Sequence, residues 1–128
     1  MKNRREHFAL FELGCADFKL VERNLDDEEI KRQLLLFHLQ QAVEKFLKSL
    51  LSSKNIRFLK IHDIEALIEL CEENEIELPE YVEEFVGLTA YAVGFRYALI
   101  MEEISDLPDW YKKASEFKAF VERIINRD

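Results

Sequence analysis

The sequence predicts an all-α fold, an up-and-down antiparallel bundle of four to five helices, and three observations carry that reading. Only three Gly and two Pro interrupt 128 residues. The chain is 48% hydrophobic and 34% charged, a mixture suited to long amphipathic helices rather than to disorder. Apolar residues recur at three- and four-residue steps between short breaks, and short breaks make consecutive helices antiparallel neighbours. No repeat, low-complexity tract or long linker divides the chain. Residues 1–128 therefore read as one domain, long enough to bury roughly two thirds of its unfolded surface.

The first helix runs from about Asn3 to Arg23, with His7, Phe8, Phe11, Cys15, Phe18 and Val21 in helical register. Asn24-Leu25-Asp26 breaks it. Asp26 followed by Glu29 has the spacing of a reciprocal cap, so a second helix is expected from there to about Ser53. Its Leu35, Leu39, Ala42, Val43, Phe46 and Leu50 make one apolar face, which Leu36, Phe37, Leu47 and Leu51 widen beyond the needs of a surface helix. This helix should be central. A link from Lys54 to Ile61 leads to a third helix, Asp63 to Glu73, capped by Asp63 and ended by Asn74, with Ile64, Leu67, Ile68 and Cys71 inward. Pro79 suits the first turn of a fourth helix reaching about Met101, apolar almost all round from Phe85. After Ser105-Asp106-Leu107-Pro108 a fifth helix carries Trp110, Ala114, Phe117, Val121 and Ile124 on one stripe.

Cys15 and Cys71 sit on apolar stripes with no CxxC partner, which predicts reduced core residues and a cytoplasmic protein. The opening MKNRREHF is charged where a secretory leader would be apolar, and no run approaches a membrane span. No cofactor is expected. The three His are scattered and the carboxylates lack a ligand spacing such as HExxH, which argues against a metal site. Nucleophilic catalysis also lacks a Ser or Cys placed beside a base.

Charge is distributed unevenly. Against a net charge of −8, residues 45–62 hold Lys45, Lys48, Lys54, Arg57 and Lys60 with no acid, while residues 63–84 hold ten acids with no Lys or Arg. His38, Gln41, Lys45, Lys48 and Ser52 share one face of the second helix by their three- and four-residue spacing. With Lys54, Arg57, Lys60 and His62 they would form a phosphate-attracting surface beside the start of the third helix. The same residues also fit a solvated face whose lysines pair with the acidic third helix. His62 would donate to phosphate or stack on a base, or else pack over the helix start. Arg96 is the only basic residue between Asp63 and Asp109, and reads either as an ion-pair anchor, with Asp17, Glu83 or Glu84 as partner, or as a phosphate contact. Aromatic residues Phe85, Tyr91, Phe95 and Tyr97 flank a small-residue stripe, Ala90-Gly94-Ala98, and suggest a homodimer interface.

The segment F-H-x-Q-Q-A-x-E-K-x-L-K from Phe37, followed by H-D-I-x-x-L from His62, resembles the HEPN family of small helical, nucleotide-associated domains. The likeness spans Phe37 to Leu70, with a weaker echo from Tyr91 to Tyr97. It implies a helical bundle, and as partners a second copy, a nucleotide or short RNA, and a separately encoded minimal nucleotidyltransferase as in toxin–antitoxin pairs. Catalytic members are metal-independent ribonucleases carrying R-x(4-6)-H in the last long helices, where His moves a proton and Arg stabilises phosphate charge. Here the family-like Arg is Arg96. The His would fall among Met101, Glu102 and Glu103, and there is none beyond His62. Arg57 and His62 meet the spacing elsewhere, in the link. The expected function is thus a non-catalytic binding module; the alternatives are a ribonuclease toxin with a displaced Arg57/His62 site and a purely structural helical dimer.

Overall fold

The structure, a computed structural model, describes residues 4–58, 60–89, 91 and 106–127. Five helical segments order these residues: α1 (Arg4–Arg23), α2 (Arg32–Ser53), α3 (Ile64–Glu73), a 3-10 segment (Glu80–Leu88) and α4 (Leu107–Ile125). They form an all-α bundle, as the sequence predicts.

The second helix is the core of that bundle. Sixteen of the 22 residues of α2 are buried, among them Gln40, Glu44 and Lys48 as well as its leucines. Helix α1 runs antiparallel to it, since Glu6 bonds Ser52, the His7 carbonyl accepts from Ser49, and Asp17 meets His38. Helix α4 is likewise antiparallel to α1, with Phe18 stacked on Tyr111 and Lys118 over the Phe18 ring. Tyr111 also donates to Glu22 at 2.8 Å, and that bond, with Lys19, holds the Glu22 carboxyl below its usual range. A run of rings joins the elements: Phe11 to Phe46 at 5.5 Å, Phe46 to Phe117 at 6.3 Å and Phe117 to Phe85 at 5.8 Å.

The start of α2 differs from expectation. Asp26 does not cap it; the helix begins at Arg32, after Lys31 in extended geometry with no side-chain cap. The intervening acids make turns instead, because Asp27 accepts from the Glu29 amide at 2.9 Å and thereby offers the backbone a local alternative to helix. Leu25 and Ile30 pack against the core and hold those turns in place. Asp63 and Asp106 do cap, accepting from the amides of Glu65 and Asp109.

Both α2 and α3 end in the same left-handed motif. Asn55 (φ 60°) and Glu75 (φ 61°) occupy the left-handed position, and the Ile56 and Ile76 amides reach back to the carbonyls of Leu51 and Cys71. From that turn the link doubles back along α2, so His62 lies beside Glu44 and Lys48, and α3 starts there.

The segment read as the start of a fourth α-helix is a 3-10 helix after Pro79. Its buried residues Val82, Phe85 and Leu88 fall at three-residue steps, which stack directly in line in a helix of three residues per turn. Lys113 of α4 binds Glu84 at 2.6 Å and Asp109 at 2.8 Å, tying this segment to α4, and those carboxylates raise its pKa. Tyr91 is buried, while Phe95, Tyr97, the Gly94 stripe, Arg96 and the expected continuation to Met101 lie outside the described residues.

Both cysteines are free thiols, Cys71 buried and Cys15 half-buried. Burial raises both, Cys71 to about 12, so neither is a ready nucleophile near neutrality.

Close approach of α1 and α2 depends on Gly14. A Cβ there would stand 2.7 Å from Phe46 Cε1 and 3.2 Å from the Ala42 carbonyl oxygen. Gly14→Ala should gain about 1 kcal/mol in helix propensity but lose about 1–3 kcal/mol to overpacking. Urea denaturation should show a net loss near 1 kcal/mol, and a stabilised variant would contradict this contact.

Candidate functional site

The face of α2 marked by sequence holds two internally neutralised clusters. In the first, Asp17 of α1 receives both His38, Nδ1 to Oδ1 at 3.0 Å, and Lys45 through its other oxygen. In the second, Glu44 Oε2 receives Lys48 Nζ at 2.9 Å and His62 Nδ1 at 3.0 Å, while its Oε1 accepts from Gln40 at 3.2 Å. Gln41 in turn donates to Gln40 at 2.7 Å. A continuous polar path thus runs Gln41–Gln40–Glu44–Lys48–His62 along α2 and onto the link.

Burial decides how these charges behave. The Glu44 and Lys48 side chains are 5% and 9% exposed, so water screens their attraction little. Lys48 also lies 5.7 Å from the centre of the Phe58 ring, which adds cation–π contact. His62 is different: its side chain is 71% exposed while Nδ1 is held by Glu44. Lys48 Nζ lies 3.3 Å from the same nitrogen. Lys48 has only donors and Glu44 only acceptors, so Nδ1 can serve one of them at a time. The shorter contact is to Glu44, which a proton on Nδ1 satisfies, whereas a bare Nδ1 accepts from Lys48.

The lysines therefore pair with Asp17 and Glu44, not with the acidic third helix. Sequence reading missed Asp17, Glu44 and Gln40 as organisers of this face. Glu44 and Lys48 at four-residue spacing were a visible signal; the Asp17 contact, 21 residues from His38, was not. Arg96 lies outside the described residues.

Lys54, Arg57 and Lys60 are exposed, and among the described residues none of them is in an ion pair. A surface cleft of about 550 Å³ extends this region, bringing Lys54 beside Arg123 and Arg127 of the α4 end over a floor that includes Ile56, Ile76 and Phe120. Glu75 and Glu77 also line it, and the convergence of helix C-termini there favours cations by itself. Arg123 and Arg127 carried no sequence signal, because only the fold brings them to the link. Among the described residues no cluster of His, Cys, Asp or Glu could hold a metal ion, and no helix is long and apolar enough to cross a membrane.

Asp17 is the single acceptor for two cationic side chains, at 16% exposure. Asp17→Asn should cost about 1–3 kcal/mol at neutral pH, since it weakens two charge-assisted bonds. Thermal and urea unfolding read this directly; an unchanged midpoint would mean that both contacts are replaced by water without loss.

Comparison with known proteins gives a family but no close relative. Neither the curated proteins nor the solved structures yield a match. A family model described as the HEPN domain matches residues 9–124, far beyond the Phe37-to-Leu70 segment whose residues first suggested it. With nearly all of the bundle inside that match, the chain belongs to the HEPN family.

Proposed function

We propose that this protein is a non-catalytic HEPN module that acts as a homodimer, receives nucleotide or short-RNA phosphate on its exposed basic link, and works with a separately encoded minimal nucleotidyltransferase. Family membership supports a nucleotide- or RNA-related role at its coarsest level. One observation carries the assignment of the phosphate surface. The basic residues of the α2 face and the link sort into two sets, with Lys45 and Lys48 neutralised by Asp17 and Glu44, and Lys54, Arg57 and Lys60 exposed without an ion pair among the described residues. A polyanion exchanges its counterions for the second set at little cost, whereas reaching the first set means breaking one buried and one half-buried pair. Arg123 and Arg127 lie within reach of the same surface. The non-catalytic part rests on sequence: no His follows residue 62, so the His that carries the proton in catalytic members is missing after Arg96.

The second reading, a ribonuclease with a displaced Arg57/His62 site, gains support from the Glu44 contact. A carboxylate that fixes Nδ1 of an exposed imidazole is an arrangement used for general acid–base chemistry.

One experiment separates the readings. Labelled nucleotides and a short mixed-sequence RNA are titrated at low and moderate salt without divalent metal, and the RNA is examined for cleavage afterwards. Binding should be weak and salt-dependent, lost on combining Lys54→Ala, Arg57→Ala and Lys60→Ala, retained in Lys45→Ala, and the RNA should stay intact. Absence of binding by the parent protein would overturn the binding module. Cleavage abolished by His62→Ala would establish the ribonuclease instead.

A further inference from the structure

A cleft of about 750 Å³ opens at the pole of the bundle where α2 and α4 both begin, between residues 25–30, the first residues of α2, and Leu107, Pro108 and Tyr111 of α4. It lies at the opposite end of α2 from the link and the Lys54 cleft.

The two helix starts differ. That of α4 is closed, with Asp106 accepting from the Asp109 amide and Asp109 itself in the first turn. That of α2 is open, because Lys31 supplies no side-chain cap and no acid stands in the first turn. The amides of Leu34 and Leu35 reach back to the Lys31 carbonyl, which leaves those of Arg32 and Gln33 without a partner among the described residues. Two unpaired amides at the positive end of a 22-residue helix, beside the exposed Lys31 and Arg32, make a seat for a carboxylate.

Gln33 narrows the ligand further. It is only 3% exposed and lines the cleft, yet its side-chain amide makes no hydrogen bond among the described residues. Neither amide atom is sealed from solvent, so the little surface that Gln33 keeps is at the amide, on the cleft. A buried amide without a partner is costly, and the group that satisfies it best offers a donor and an acceptor together. A peptide group does so.

The remaining charges choose the side chain. Residues 26–29 are all acids, all exposed and all on the cleft, and among the described residues none of them pairs with Lys31 or Arg32. The lining thus keeps positive charge at the start of α2 apart from four carboxylates on the turns before it. A ligand complementary to both carries a carboxylate and a cationic side chain, whereas the phosphates of a nucleotide would face the acids. The volume falls within the roughly 300–1,000 Å³ of clefts that enclose a drug-sized ligand, the bulk of about two or three residues.

We infer that this cleft captures the carboxyl-terminal residues of a basic peptide, with the terminal carboxylate on the Arg32 and Gln33 amides, a peptide group on the Gln33 side chain, and a Lys or Arg side chain among Asp26, Glu28 and Glu29.

Amide-resolved NMR of the isotope-labelled full chain, titrated with acetyl-Gly-Lys-Arg bearing a free carboxyl terminus, tests this. The Arg32 and Gln33 amides should shift, and the same peptide amidated at its terminus should bind about tenfold more weakly. Gln33→Met should weaken the peptide about fivefold while keeping or raising the urea midpoint, since the fold loses no hydrogen bond. Asp26→Asn with Glu28→Gln should abolish the preference over acetyl-Gly-Ala-Ala. A peptide that leaves those amides unmoved, or that binds equally well when amidated, overturns the capture of a carboxyl terminus. So does a Gln33→Met variant that binds as the parent does, or one that loses stability, because the fold then already uses the amide. Preference for the basic peptide that survives the acid variants removes the cation site. Free arginine binding as tightly as the peptide, or AMP displacing it from the same amides, assigns the cleft to a small molecule or a nucleotide and overturns the peptide.

Discussion

The structure depends on the enclosure of α2. A helix that packs against α1, α3, α4 and the 3-10 segment has almost no side on which a polar residue can reach bulk water. Yet this one carries Gln40, Glu44, Lys48, Ser49, Ser52 and Ser53 among its buried residues. Each must be satisfied by protein, because a polar group buried without a partner costs on the order of 1–3 kcal/mol, and a charge more. Glu44 meets the severest form of that demand. Its two oxygens collect Gln40, Lys48 and His62, and so join the helix interior to the link that follows it. The position of His62 and the path of the link along α2 follow from that carboxylate.

The same constraint sorts the basic residues. Where α2 borders α1, Asp17 absorbs His38 and Lys45; where it borders the link, Glu44 absorbs Lys48. Exposed basic charge outside ion pairs among the described residues then remains on Lys54, just before the left-handed turn at Asn55, and on Arg57 and Lys60 after it, with Arg123 and Arg127 arriving from α4 beside Lys54. A chain of net charge −8 can hold a local anion surface in this way, since screening confines each field to roughly 10 Å.

Helical periodicity and punctuation made much of the fold legible. Ile64, Leu67, Ile68 and Cys71 are inward as their spacing requires, and Asp63 caps α3 and Asn74 ends it as read from residue type. Asp26 misled because an acid three residues before Glu29 is equally at home in a turn, and the core contacts of Leu25 and Ile30 decided between the two. The 3-10 segment was hidden for a related reason: Val82, Phe85 and Leu88 fit a three-residue step, but one such step is also found on an α-helix. At the candidate site the basic residues themselves were visible, and their partners were not. Exposure of a lysine cannot be read from its position on a helix face when the carboxylate opposite belongs to another helix.

The central claim is that the α2 face is a buried, internally neutralised polar cluster rather than a ligand-facing basic surface. A double-mutant cycle on Glu44→Gln and Lys48→Met, measured by urea denaturation at neutral pH and moderate salt, tests it most directly. Each single change should lose about 3 kcal/mol, Glu44→Gln by leaving the buried Lys48 ammonium without its carboxylate and Lys48→Met by leaving the buried Glu44 carboxylate without its ammonium partner, and the double variant should lose about 2 kcal/mol less than the sum. Losses below about 1 kcal/mol that add within about 0.5 kcal/mol would mean that Glu44 and Lys48 are solvated and uncoupled, and the account would fail at its base.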